Sequence, residues 1–274
     1  MTAPRRPALR WHGGKWMLAP WIVQHFGPHQ VYVEPFGGAA SVLLRKPRSY
    51  AEIYNDLDND AVNLFRILRD KASAHELVRL LRLTPFARCE FLAAYDRSED
   101  PVERARQLVI RSFMGFGSNG HARATGFRSC SNRSGSTPAH DWLNLPDNLL
   151  SVSERLAGVI IENRDARDVM FQHDGRKTLH FIDPPYLPET RTDSRPDYAI
   201  ELTDDDHRDL LTKIQELSGA VVLCGYPSQT YDGTLAGWQR ITRAALADGA
   251  KPRTECLWLN SAAQHAIAQK SLFS

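Results

Sequence analysis

Apolar positions follow two rhythms along the chain, and the rhythm changes twice. Val31-Tyr32-Val33-Glu34 predicts a short strand, Pro35-Phe36-Gly37-Gly38 a loop, residues 39–45 a helix, and Ile53-Tyr54 a second strand. A first helix is expected ahead of them, over residues 16–25. Ala61, Leu64, Phe65 and Leu68 then recur at helical spacing, so residues 58–70 predict an amphipathic helix. Strands and helices in alternation imply a parallel sheet.

From residue 72 the alternation stops. Segments 72–83, 85–95 and 101–114 read as successive helices, a Gly/Ser/Arg-rich stretch covers 115–140, and 141–156 is helical again. Val159-Ile160-Ile161 restores the strand pattern, which continues through Thr178–Ile182, Val221-Val222-Leu223 and residues 255–259. The simplest account is an α/β core formed by 1–70 and 157–274 and interrupted by a mainly helical insert, 71–156. With 274 residues the chain can bury a substantial core of this kind.

Chemistry collects at the predicted strand ends. Asp183-Pro184-Pro185-Tyr186 follows a buried strand; two prolines fix φ, remove two backbone donors and force the chain out extended. The corner offers a carboxylate, free carbonyls and an aromatic face where open α/β sheets bind ligands. That set suits a planar base with an exocyclic amine, although a strand stop followed by a buried tyrosine has the same sequence. Glu34-Pro35-Phe36-Gly37-Gly38 lets backbone pass close to a nucleotide-like group, and it lacks the Gly-x-Gly-x-x-Gly and Gly-x-x-x-x-Gly-Lys-Ser/Thr patterns of pyrophosphate and triphosphate cradles. Asp56, about twenty residues past Gly37, occupies the position of a ribose-binding acid, and equally that of an N-cap near Asp58. A nucleoside-bearing cofactor without pyrophosphate points to S-adenosylmethionine, whose sulfonium favours Trp11, Phe36 and Asp183 as neighbours.

Charge and cysteines refine the picture. Lys and Arg total 34 and Asp and Glu 32, yet no acid occurs between Arg104 and His140, where Arg104, Arg106, Arg111, Arg123, Arg128 and Arg133 lie. Such a field suits a polyanion. Arg123, Arg128 and Arg133, set among Gly, Ser, Asn and Thr, are the candidates for phosphate and guanine contacts; a glycine-rich surface loop is the plainer alternative. Cys89, Cys130, Cys224 and Cys256 are scattered without a Cys-x-x-Cys pair, so neither a disulfide framework nor a metal site is expected. Without a long apolar stretch, the expectation is a cytoplasmic protein, with no indication of oligomeric state.

Taken together, Trp-x-Gly-Gly-Lys at 11–15, Glu-Pro-Phe-Gly-Gly-Ala-x-Ser at 34–41, Asn-Asp at 55–56 and Asp-Pro-Pro-Tyr at 183–186 resemble the Dam-type (class α, D12 class) adenine-N6-specific DNA methyltransferases. The resemblance runs from about Leu9 to Leu259 and implies a bacterial or phage-encoded enzyme. It further implies a Rossmann-like S-adenosylmethionine-dependent methyltransferase sheet with an inserted target-recognition subdomain. By position it assigns Trp11, Lys15, Phe36, Gly37, Asp56, Asp165 and Asp183 to the cofactor. Ala166 departs from the family's frequent aromatic residue after that acid. Asp183, Pro184 and Tyr186 would act on a flipped adenine in double-stranded DNA, with no metal; cytosine-N4 and RNA adenine-N6 methylation remain the alternatives.

Overall fold

Seven strands among the described residues form one sheet in the order β3-β2-β1-β4-β5-β7-β6. They are β1 (Val31–Glu34), β2 (Ala51–Asn55), β3 (Val159–Glu162), β4 (Thr178–Ile182), β5 (Ala220–Gly225), β6 (Gln239–Leu246) and β7 (Pro252–Leu259). The computed structural model describes residues 4–120, 123–130, 135–190, 198, 200–246 and 252–272. Strands β1 to β5 pair in parallel, and β7 runs antiparallel between β5 and β6. The order places β1 between β2 and β4, so successive connections leave β1 in opposite directions. Such a reversal opens a crevice at the carboxyl ends of the two strands.

The helices are α1 (Ala19–Gln24), α2 (Ser41–Arg45), α3 (Asn59–Arg69), α4 (Lys71–Leu83), α5 (Arg88–Ala93), α6 (Pro101–Met114), α7 (Pro138–Leu143), α8 (Leu145–Leu156), α9 (Ala166–Gln172), α10 (Asp204–Ile214), α11 (Gln229–Thr234) and α12 (Ser261–Leu272). Strand side chains alternate between two cores, as a two-residue period demands. Leu179, Phe181, Val222, Cys224, Leu257 and Leu259 join one cluster, whereas Ile182, Val221, Leu223, Cys256 and Trp258 join the other. Apolar strands covered on both faces are the mark of a doubly wound α/β sheet. The fold is thus Rossmann-like, as the resemblance implies, with the mostly parallel sheet that the alternation predicts.

Two expected helices differ in extent. The first begins at Ala19 rather than at 16, because Pro20 is accommodated only in a first turn. The helix expected over 141–156 is two helices meeting at Asn144, since Pro146 cannot continue the helix that carries Trp142.

Helices α4 to α8 lie between β2 and β3 in the chain, within the segment expected as an insert. Asp70 ends α3 and its carboxylate caps α4 through the Ser73 N–H at 2.8 Å. The insert nevertheless shares its core with the sheet: Leu77, Phe91, Leu108 and Leu149 lie in the same cluster as Tyr32 and Phe181. A buried charge group fastens the two. Glu52 of β2 accepts from Lys46 at 2.6 Å and from Arg155 of α8 at 2.6 and 2.8 Å, and Arg155 also donates to the Leu43 carbonyl. The two donors compensate the buried carboxylate, and removing Glu52 would leave two buried cations without their partner.

Candidate active site

A cleft opens at the β1/β4 reversal, lined by Trp11 to Lys15, Glu34 to Ala39, Asp56, Asp58, Ala166, Asp183, Pro185 and Tyr198, among others. The first wall arrives with the N-terminal segment. Ser112 Oγ receives the Arg10 N–H at 2.7 Å and donates to the Arg10 carbonyl at 2.9 Å, and the Arg10 guanidinium reaches the Gly115 carbonyl. Helix α6 therefore holds the strap that delivers Trp11 and Lys15.

The loop after β1 is shaped by close packing. A Cβ at Gly37 would lie 2.1 Å from the Tyr54 ring, and Gly38 has φ +47° with Trp11 Nε1 only 2.6 Å from a would-be Cβ. Neither position admits a side chain without displacing an aromatic ring. Tyr54 donates its hydroxyl to the Gly38 carbonyl at 2.8 Å. Asp56 accepts from the N–H of Gly38 and of Asp58, each at 2.7 Å, so its carboxylate braces the loop from the end of β2. Burial raises its pKa to about 6, the two backbone donors notwithstanding. Asp58, not Asp56, caps α3. Asn55 joins the neighbouring loops, donating to the carbonyls of Pro35 and Arg164 and accepting from the Arg164 N–H.

Asp183 leaves the end of β4 into the same cleft. Its Oδ2 meets Lys15 Nζ at 3.1 Å, while Oδ1 is buried with no hydrogen-bond partner among the described residues. An acceptor atom of that kind can take a donor from a bound molecule. Burial raises the Asp183 pKa, with Lys15 only partly offsetting it. Lys15 itself is 4% exposed and donates to the Gly13 carbonyl at 2.6 Å. Burial opposes its charge, yet Asp183 and Glu255 together hold its pKa well above the ordinary value. The ammonium also stands 4.8 Å from the centre of the Tyr186 ring. Lys15, expected at the cofactor, is thereby in contact with both Asp183 and Tyr186.

The structure brings together Trp11, Lys15, Phe36, Gly37, Asp56 and Asp183 around the cleft. Pro184 and Tyr186 stand beside it. Tyr186 is 6% exposed, its ring meeting the edge of Tyr226 at a centroid distance of 4.5 Å. Asp165 stands apart from this group. Its carboxylate caps α9 and is gripped by Arg167 at 2.6 and 2.9 Å, so Ala166 lines the cleft in its place.

The arginines of the insert also separate. Arg104 and Arg111 donate to Asp60 of α3, and Arg106 to Glu103 and Glu90, so these three belong to ion-pair networks inside the molecule. Arg128 has a side chain 10% exposed and lies 3.4 Å from Asp141, the first acid beyond the acid-free stretch. The expectation of an open Arg128 thus meets an ion pair made by a residue one position outside the stretch. Arg123 is half-buried, its backbone N–H bonded to the Asn119 carbonyl. Arg133 lies outside the described residues.

Sequence reasoning missed Glu34, Tyr198, Cys224 and Glu255 as members of the site. Glu34 accepts from the Tyr32 hydroxyl at 2.6 Å and the Leu43 N–H at 2.9 Å, and burial raises its pKa to about 8. The available signal was an acid ending or opening an otherwise apolar strand. No group of three or more His, Cys, Asp or Glu suited to a metal ion occurs among the described residues, and none of the described helices is long and apolar enough to cross a membrane.

Residues 11–231 match the family model for the D12 class N6 adenine-specific DNA methyltransferase. The DNA adenine methylase of Escherichia coli (strain K12) is 29% identical over 116 residues, covering 40% of this chain and 41% of the relative. The DNA adenine methylase of Serratia marcescens is 38% identical over 64 residues, 23% of each chain. The chain thus matches about two-fifths of the length of the first relative.

Proposed function

Because the chain belongs to the D12 class N6 adenine-specific DNA methyltransferases, we propose that it transfers a methyl group from S-adenosylmethionine to N6 of an adenine flipped out of duplex DNA. The observation that carries this reading is the buried, unpartnered Oδ1 of Asp183 facing a glycine-walled cleft at the β1/β4 reversal. The cleft fits the cofactor: Trp11 and Phe36 offer aromatic faces, Gly37 and Gly38 bare backbone, and Asp56 a carboxylate whose lone pairs exceed its two backbone donors. When bound, S-adenosylmethionine supplies an electrophilic methyl group on a sulfonium centre.

The chain's own groups do the rest. Duplex stacking hides adenine N6, so the nucleotide must be flipped before Asp183 can reach it. Asp183 Oδ1 accepts one amino hydrogen and the Pro184 carbonyl the other, which localises the nitrogen lone pair otherwise spread into the ring. Fixed acceptors in a buried site also stabilise the positive charge that develops on N6. As the new N–C bond forms, N6 holds one proton too many, and Asp183 Oδ1 takes it. Burial already raises the affinity of that carboxyl for a proton. Lys15 holds Oδ2 and leaves Oδ1 free for the base. Tyr186 supplies the ring against which the base rests. Asp165, engaged by Arg167, would reach the cofactor only by giving up that pair. Phosphate contact falls to Arg123 more readily than to Arg128, whose guanidinium lies against Asp141.

Purified chain incubated with duplex DNA and S-adenosylmethionine, followed by digestion to nucleosides, tests the reading. N6-methyldeoxyadenosine is the expected product. N4-methyldeoxycytidine, a methylated RNA adenosine in preference to DNA, or no methylated nucleoside would each overturn it.

A further inference from the structure

Glu255 lies on β7, beyond residues 11–231 that carry the family match. It opens the apolar run Cys256-Leu257-Trp258-Leu259 and is 6% exposed. A buried carboxylate is costly unless it is bonded. Its Oε2 accepts the Tyr186 hydroxyl at 3.0 Å and stands 3.7 Å from Cys224 Sγ, which is itself 3.5 Å from the same hydroxyl. Register explains the meeting: Gly225 of β5 faces Cys256 of β7, so Glu255 stands just past the end of β5, where the chain carrying Tyr226 turns.

Pro184 and Pro185 fix the backbone ahead of Tyr186 but leave the tyrosine side chain to rotate about its own bonds. Tyr226 at its edge and Lys15 over its face restrict the ring by contact alone. The hydrogen bond to Glu255 anchors the far end of the ring in a direction that contacts do not define. We infer that Glu255 is a positioning residue for methyl transfer, holding the plane of Tyr186 against which the target base is stacked. This inference rests on the methyltransferase reading, and it assigns to the antiparallel strand a part in a site otherwise built from the carboxyl ends of parallel strands.

The test compares the full chain with Glu255→Ala, Glu255→Gln, Tyr186→Phe and the Tyr186→Phe/Glu255→Ala double variant. Steady-state methylation of duplex DNA is measured for each, with calorimetric binding of S-adenosylmethionine and thermal midpoint as companions. Glu255→Ala should lower kcat about 10- to 100-fold, with the cofactor KM moving less than about 3-fold. Glu255→Gln should recover most of the rate, because its amide oxygen still accepts the phenol proton. In the Tyr186→Phe background, loss of Glu255 should add less than about 3-fold. Should Glu255→Ala not fold, Tyr186→Phe alone decides, since the positioning runs through that hydroxyl. An undiminished kcat in Tyr186→Phe or Glu255→Ala, or full additivity of the two losses, would overturn the inference while leaving an active wild type. A wild-type chain that makes no N6-methyladenine overturns the methyltransferase reading as well.

Discussion

Glu34 shows how a single carboxyl in this site is balanced. It ends β1, is 2% exposed, and receives the Tyr32 hydroxyl and the Leu43 N–H on one oxygen. Burial outweighs those bonds and lifts its pKa from 4.5 to about 8. A carboxyl that titrates higher folded than unfolded binds its proton more tightly in the native state. It therefore costs stability as pH rises from about 4.5 to about 8, and the cost is constant above that range. Glu34→Gln should gain on the wild type across this window, by about 4 kcal/mol at pH 8, and show little difference below pH 4.5. Thermal midpoints of both proteins, taken without cofactor over pH 4–9, read the trend. An unvarying difference would mean that Glu34 is not held neutral by burial. The position of Glu34 at a strand end was legible in the sequence. Its protonation was not, because the shift comes from how completely α2 and Tyr32 enclose it.

The same division holds for whole elements. The spans of β1, β4 and α6 agree with their sequence patterns to the residue, because each is bounded by a proline, a glycine or a charged cap. Strand β6 had no such signal: Arg240, Thr242 and Arg243 interrupt it, and it becomes a strand by pairing with β7 along its length. The arginines of the insert repeat the lesson. Their density was legible, but their partners lie elsewhere in sequence: Asp60 on α3 for Arg104 and Arg111, and Asp141 on α7 for Arg128. Arg128→Ala should lower stability by about 1 kcal/mol while leaving the salt dependence of DNA binding unchanged. Arg123→Ala should weaken DNA binding and reduce the slope of log affinity against log salt by about one. Affinities at several salt concentrations, with thermal midpoints, separate the two. A reduced slope in Arg128→Ala would place that side chain on phosphate after all.

At the scale of the molecule, the strand order decides where chemistry can occur. Reversal between β1 and β4 brings Glu34, Asp56 and Asp183 to one crevice, although Asp56 and Asp183 are well over a hundred residues apart. The helical insert fills that interval and is pinned to the core by the Glu52–Arg155 pair and by the Arg10–Ser112 bonds. Its fastening next to the Trp11–Lys15 strap links the surface proposed to meet DNA with the wall proposed to hold the cofactor. In this site Asp183 Oδ1 is the proposed acceptor of the adenine amino proton. Asp183→Asn tests it most directly, since the amide keeps the size of the side chain and avoids a cavity beside the buried Lys15 ammonium. N6-methyladenine formation on duplex DNA should fall about 100-fold or more, with S-adenosylmethionine still bound by calorimetry. Turnover by Asp183→Asn close to that of the wild type would contradict the account.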